Sequence, residues 1–138
     1  MTRRTPSRHA AATAIALLAA LATQVACAGD ADKKRRAPSV VPPLVVGKLK
    51  FEAPLMGQPF GFAQDGGIVI ARRADTGELV WTCSVYTPTI DPTMESDKQD
   101  VFIKSLALAA DGRHLAIVNE RGQRYELGLD GCAARALP

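Results

Sequence analysis

Four carboxylates lie within ten residues of each other: Asp91, Glu95, Asp97 and Asp100. Hard cations such as calcium take several oxygen ligands, and closely spaced acids supply them. The order does not follow the EF-hand loop, and Lys98 sits among the acids. The competing reading is a solvated helix cap and loop. As a glycosidase pair these acids lack a sugar cleft, since aromatic residues make up only 5% of the chain. Apolar side chains flank the same stretch: Tyr86, Met94 and Phe102. Met56, Phe60 and Phe62 lie in an earlier Gly-rich loop. Phe60, Phe62, Tyr86 and Phe102 are therefore candidates for a partner-binding edge, against the plainer role of covering a small core.

Other chemistry is sparse. His114 follows an Asp-Gly turn, and beyond residue 28 it is the only histidine. A surface histidine is the expectation there. No Gly-x-Ser-x-Gly elbow, phosphate loop, dinucleotide fingerprint or His-Glu-x-x-His stands in the chain. No catalytic residue and no cofactor are expected. Cys83 and Cys132 suit one disulfide in an oxidising compartment, the alternative being two free buried thiols.

The elements that position these residues are strands. From Leu44 the apolar pattern has a period of two. Leu49, Phe51 and Ala53 face one way, Lys48, Lys50 and Glu52 the other. Further strands are expected at 68–71, 79–86, 101–108, 115–118 and 125–129. Asp-Gly-Gly at 65–67, Asp-Thr-Gly at 75–77, Asp-Gly at 111–112 and Arg-Gly at 121–122 mark the turns. Leu79, Trp81, Cys83 and Val85 share a face, which makes the single Trp a core residue. Asp91-Pro92 suits the start of a short helix over Met94 to Lys98. The expectation is a mainly β domain over residues 44–138. It is a small antiparallel sheet, sandwich or open barrel of about six strands with one short helix.

Residues 1–28 read as a signal peptide. Arg3, Arg4 and Arg8 precede an apolar run from Ala10 to Ala22, too short for a spanning helix of about 20 residues. Ala26-Cys27-Ala28 suits cleavage before Gly29. The rival form is a lipoprotein signal with lipid on Cys27, although Gln24 stands where that motif has an aliphatic residue. Residues 29–43 read as a flexible linker, with a basic run at 33–36 and Pro38, Pro42 and Pro43. Membrane contact is expected only through a signal or a lipid anchor.

The formal charge of +3 belongs to the three arginines of residues 1–28, which hold no acid. Residues 29–138 hold 14 basic and 14 acidic side chains, a net of zero. Nucleic acid is therefore not an expected partner. The length of 138 residues points to one domain. It excludes an eight-fold βα barrel and a complete multi-blade propeller.

Two stretches resemble propeller repeats. Gly67 to Ala71, followed by Ala74-Asp75-Thr76-Gly77-Glu78-Leu79-Val80-Trp81, is similar to the repeat of pyrroloquinoline-quinone-type (quinoprotein-type) β-propellers. The turn lacks one residue of that family's small-Asp-x-Thr-Gly pattern. Ser105 to Val118 is similar to the strand–Asp-Gly–strand hairpin of such repeats. The resemblance implies four-stranded antiparallel meanders, with material for one or two blades. The family's quinone-site residues have no counterparts here. The leading expectation is an exported, non-catalytic binding or assembly module of the bacterial envelope, periplasmic or secreted, with an envelope protein as partner. The alternative is an enzyme, or enzyme accessory, using the loop at 87–100 in a calcium-dependent way.

Overall fold

Alternating burial dictates the architecture. Along Leu115, Ile117 and Asn119, and again along Tyr125 and Leu127, every second side chain is buried. That is the pattern of strands with one face on a core. The computed structural model describes residues 36–95 and 98–138. It contains two antiparallel four-stranded sheets, each with its strands in chain order. The first holds β1 (Leu44–Val46), β2 (Leu49–Glu52), β3 (Ile68–Arg73) and β4 (Leu79–Ser84). The second holds β5 (Ile103–Leu108), β6 (His114–Asn119), β7 (Arg124–Gly128) and β8 (Ala134–Leu137). Neither sheet closes into a barrel.

The two sheets share one core. Phe51, Val69, Ala71, Cys83 and Val85 come from the first side. Ile103, Leu115, Ile117, Tyr125 and Leu127 meet them from the second. Two aromatic contacts reinforce this packing. Phe51 and Trp81 lie with ring centroids 5.8 Å apart, and Tyr86 stacks on Tyr125 at 4.8 Å. Trp81 is thus part of the core packing, as its place on the strand demands. Cys83 and Cys132 form a disulfide, with Cα atoms 5.0 Å apart. It ties β4 of the first sheet to the β7–β8 connection of the second.

β3 is buried on both faces. Val69 and Ala71 point to the shared core, while Ile68 and Ile70 lie on the opposite side. A Cβ on Gly57 would stand 2.5 Å from the Ile68 side chain, so the loop after β2 lies directly over this strand. That loop contains a 3-10 turn, Gln58–Phe60.

Three details differ from the sequence expectation. Eight strands are present among the described residues where about six were expected. β1 is too short for alternation to show, and β8 is alanine-rich and pairs through its backbone, Leu127 opposite Ala134. Of the short helix expected over Met94 to Lys98, Met94 and Glu95 are not helical, Lys98 is in a 3-10 turn, and residues 96 and 97 lie outside the described residues. The Asp91 carboxylate does accept the Thr93 N–H at 2.8 Å, as a helix cap would. The Gln99 amide, however, donates to the carbonyls of Asp91, Met94 and Glu95. The Asp91 carbonyl also accepts the Met94 N–H at 3.1 Å and the Glu95 carbonyl the Lys98 N–H at 3.2 Å, so single i→i+3 turns stand here. Finally, Val41 lies within the stretch read as linker, yet it is buried in the core. Arg36, Ala37 and Ser39 line a small pocket with Ile103 and Lys104. The stretch just before β1 therefore packs on the domain.

Candidate functional site

Two loops meet at one end of the sheets. The first joins β2 to β3, and the second joins β4 to β5. Gln64 crosses between them: its amide donates to the Tyr86 carbonyl at 2.7 Å and to the Gly66 carbonyl at 3.2 Å. Within the first loop the Gly57 N–H donates to Asp65 Oδ1 at 2.8 Å. Gly66 and Gly67 take positive φ values of 77° and 66°. They bring the first loop against Val101 and Tyr86 of the second. Glycine permits both the left-handed backbone and this close approach. The result is a cleft of about 380 Å3 lined by Ala63, Gln64, Thr87, Pro88, Ile90 and Asp100. Its wall is mainly apolar, with one carboxylate, one hydroxyl and one amide.

The aromatic candidates divide here. Tyr86 is held in the structure: its hydroxyl donates to the Val101 carbonyl at 2.9 Å, and its ring stacks on Tyr125. Burial raises its phenol pKa far above the ordinary value. Phe102 is buried, and its N–H donates to Glu120 Oε2 at 3.2 Å. Both act as packing groups. Phe60 and Phe62 are half-buried in the first loop. Met56, Ile90 and Met94 are the large apolar side chains these two loops expose most.

Among the described residues, Asp91, Glu95 and Asp100 are not gathered into one cage. Asp91 is engaged by the Thr93 hydroxyl and N–H, which together hold its carboxyl pKa below the usual range. Glu95 pairs with Lys98 at 2.7 Å, and that ammonium lowers its pKa. Asp100 lines the cleft. Asp97 lies outside the described residues. Among the described residues no group of three or more His, Cys, Asp or Glu side chains is placed to hold a metal ion. The convergence of carbonyls in this loop is on Gln99, whose side chain also accepts the Asp91 N–H. Gln99 is 6% exposed and organises the loop. Neither Gln64 nor Gln99 carries a sequence signal, because glutamine appears in no metal or catalytic spacing at these positions.

His114 sits in a second concavity of about 500 Å3 with Arg113, Asp130 and Cys132. Its Nδ1 lies 2.5 Å from Asp111 Oδ2. Cys132, which lines the same concavity, has its sulfur in the disulfide. Asp111 also accepts the Arg113 N–H at 2.8 Å. That backbone bond, with His114 second, lowers its pKa from 3.8 to about 2. The unit is a turn lock. A depressed carboxylate pKa stabilises the fold above its unfolded value and loses that stabilisation as pH falls through the folded value. Asp111→Asn should therefore weaken the protein at neutral pH, and the gap to wild type should close as pH falls from about 4 to about 2. Urea midpoints measured across that range check it.

No helix among the described residues is long and apolar enough to cross a membrane. No protein-family model matches the chain, and no curated protein matches it significantly.

Proposed function

We propose that this chain is an exported, non-catalytic binding module of a bacterial envelope, periplasmic or secreted, that engages a partner protein through the two-loop end. The observation that carries the reading is the cleft between the loops, braced by Gln64 and walled by Ala63, Pro88 and Ile90. Exposed Met56, Ile90 and Met94 add apolar surface on the same two loops. Rigid sheets that present shaped loops are a common basis for recognition. Two consecutive four-stranded meanders support the reading of the sheets as propeller-blade-like units. The disulfide supports an oxidising compartment, and with it the reading of residues 1–28 as a signal. The mass of the mature N-terminus separates cleavage before Gly29 from lipid on Cys27.

A photo-crosslinking side chain placed at Ile90 or Phe60 tests the binding surface in the producing cell. Each should give a discrete adduct. Leu108, at the far end of β5 and about 17 Å along the strand, should give none. Adducts from Leu108 alone, or no discrete adduct anywhere, would overturn the loop-end surface. A calcium-dependent rise in thermal midpoint, lost in Asp91→Asn, would favour the metal-dependent alternative instead.

A further inference from the structure

Of the four strands at the sheet edges, three reach the shared core. β4 places Cys83 in it, β5 places Ile103, and Leu44 and Val46 of β1 pack against it. β8 contributes none of these residues. Its positions on the core side are Ala134 and Ala136, opposite the buried Leu127 and Tyr125, and both alanines are exposed. No residue from Asp130 to Pro138 is buried. The core therefore ends at β7, and β8 overhangs it. Its bonds within the second sheet run to β7: the backbone ladder, the Arg135–Glu126 ion pair, and the Arg124 guanidinium on the Pro138 carbonyl at 2.7 Å. Exposed pairing of this kind contributes little, because the net gain of each hydrogen bond is offset by the entropy of ordering the residue that makes it.

The disulfide joins this stretch to the first sheet, and it is one-sided. Cys83 is 1% exposed in the core, whereas Cys132 is an exposed residue two positions before β8. Cys132 lines the concavity of about 500 Å3 that also holds Arg113, His114 and Asp130. The open approach to the bond is therefore from the Cys132 side. The Arg113 guanidinium favours an incoming thiolate there, and Asp130 opposes it.

We infer that Cys83–Cys132 is a redox latch on β8: reduction by an external dithiol, entering at Cys132, frees residues 130–138 while the two-sheet core stays folded. One thiolate of the dithiol attacks Cys132 Sγ. The Cys83–Cys132 bond breaks as the new S–S bond forms, and Cys83 leaves as a thiolate and takes a proton. The second thiol of the reductant then attacks the reductant's own sulfur in that mixed disulfide and releases Cys132 as a thiol. The reductant ends as a disulfide, and the two cysteines gain the two electrons and two protons it has lost. With the tether gone, β8 keeps only its exposed pairing with β7, and that edge of β7 opens. The core keeps every side chain it draws from β1 to β7, so the sheets remain together. The latch lies outside the two-loop end and does not rest on the proposed function.

The hydrogen-bond phase of β7 supplies the readout. The Gly128 N–H donates to the Ala133 carbonyl at 3.1 Å, and the Leu129 N–H to the Arg113 carbonyl at 3.3 Å. Pairing alternates from there, so Arg124 and Glu126 turn their backbone groups to β8, and Tyr125 and Leu127 turn theirs to β6. Amide exchange by NMR on the oxidised protein, repeated with dithiothreitol, tests the latch. After reduction the Arg124, Glu126, Arg135 and Leu137 amides should exchange about tenfold faster or more, at the rate of an unstructured chain. Those of Tyr125 and Leu127 should stay slower than these by about tenfold or more. Glutathione, a monothiol, forms the mixed disulfide, and peptide mass after an acid quench should find it on Cys132 of the folded protein. Cys132→Ser should reproduce the exchange pattern without reductant, and the wild-type result stands whether or not that variant folds. Loss of all protection in both sheets on reduction would overturn the inference, since the bond would then hold the whole domain rather than one strand. So would β8 amides that stay protected after reduction, an adduct on Cys83, or a bond that glutathione reaches only in denaturant.

Discussion

Replacing Cys83 and Cys132 together by alanine should cost the fold about 4 kcal/mol, the chain-entropy value for a loop of this length. The bridge spans a sequence separation of 49 residues. In the unfolded chain it removes the freedom of almost the whole segment from β4 to the β7–β8 connection. In the folded chain it links the two sheets, which also meet through side-chain packing in the shared core. A domain of about 100 residues has a net stability of only about 5–15 kcal/mol. One bond therefore carries a large share of the total. Guanidinium denaturation of the native protein and of the double variant gives the difference. The same loss should follow reduction of the wild type. Mass after alkylation without reductant is the companion measurement, and it should show no modified thiol at either position. Two modified thiols, or a loss below about 1 kcal/mol, would contradict this account of the staple.

Cys83 also shows why the fold was legible in the sequence. Its position on the Leu79–Trp81–Cys83–Val85 face follows from strand alternation alone. The structure buries Cys83 and Val85 and packs Trp81 on Phe51. Leu79, nearest the irregularity in β4, is the exception and stays exposed. The turns were legible for the same reason. Gly77, Gly112 and Gly122 stand at positive φ between strands, where a side chain would be strained. What escaped the sequence was decided by partners distant along the chain. Val41 follows a basic, proline-bearing stretch and looks like tether, but the core takes it in. Ala134 to Leu137 lacks alternation, and only the register with β7 makes it a strand. The loop end shows the limit most clearly. Asp91, Glu95 and Asp100 drew attention by type, yet each carboxylate is engaged or placed separately. The residues that shape the region are two glutamines. Their role depends on which carbonyls lie within reach, and no spacing rule encodes that.

Gly66→Ala should cost about 3 kcal/mol, more than the same change at Gly77. Two terms add at this position. The backbone at φ 77° is left-handed. An L side chain there costs about 1–2 kcal/mol. The added methyl group would also stand 2.4 Å from the Val101 carbonyl oxygen and 2.9 Å from its carbon. Those are backbone atoms next to Phe102, which is buried and bonded to Glu120. They cannot swing aside as a lysine tip would, so the two loops must separate, and overpacking of this kind costs about 1–3 kcal/mol. Gly77 isolates the first term. Its φ is 75°, and a methyl group there would meet nothing within 4 Å. Gly77→Ala should therefore lose only about 1–2 kcal/mol. The difference between the two variants, read from urea midpoints at equal m-value, reports the closeness of the two loops. The cleft depends on that closeness, because Ala63 and Gln64 come from one loop and Thr87, Pro88, Ile90 and Asp100 from the other. Gly66→Ala should accordingly weaken the Ile90 crosslink as well as the fold, while Gly77→Ala should leave the crosslink intact. Equal costs at the two glycines would mean that the loops are not held in contact, and the cleft would lose its physical basis.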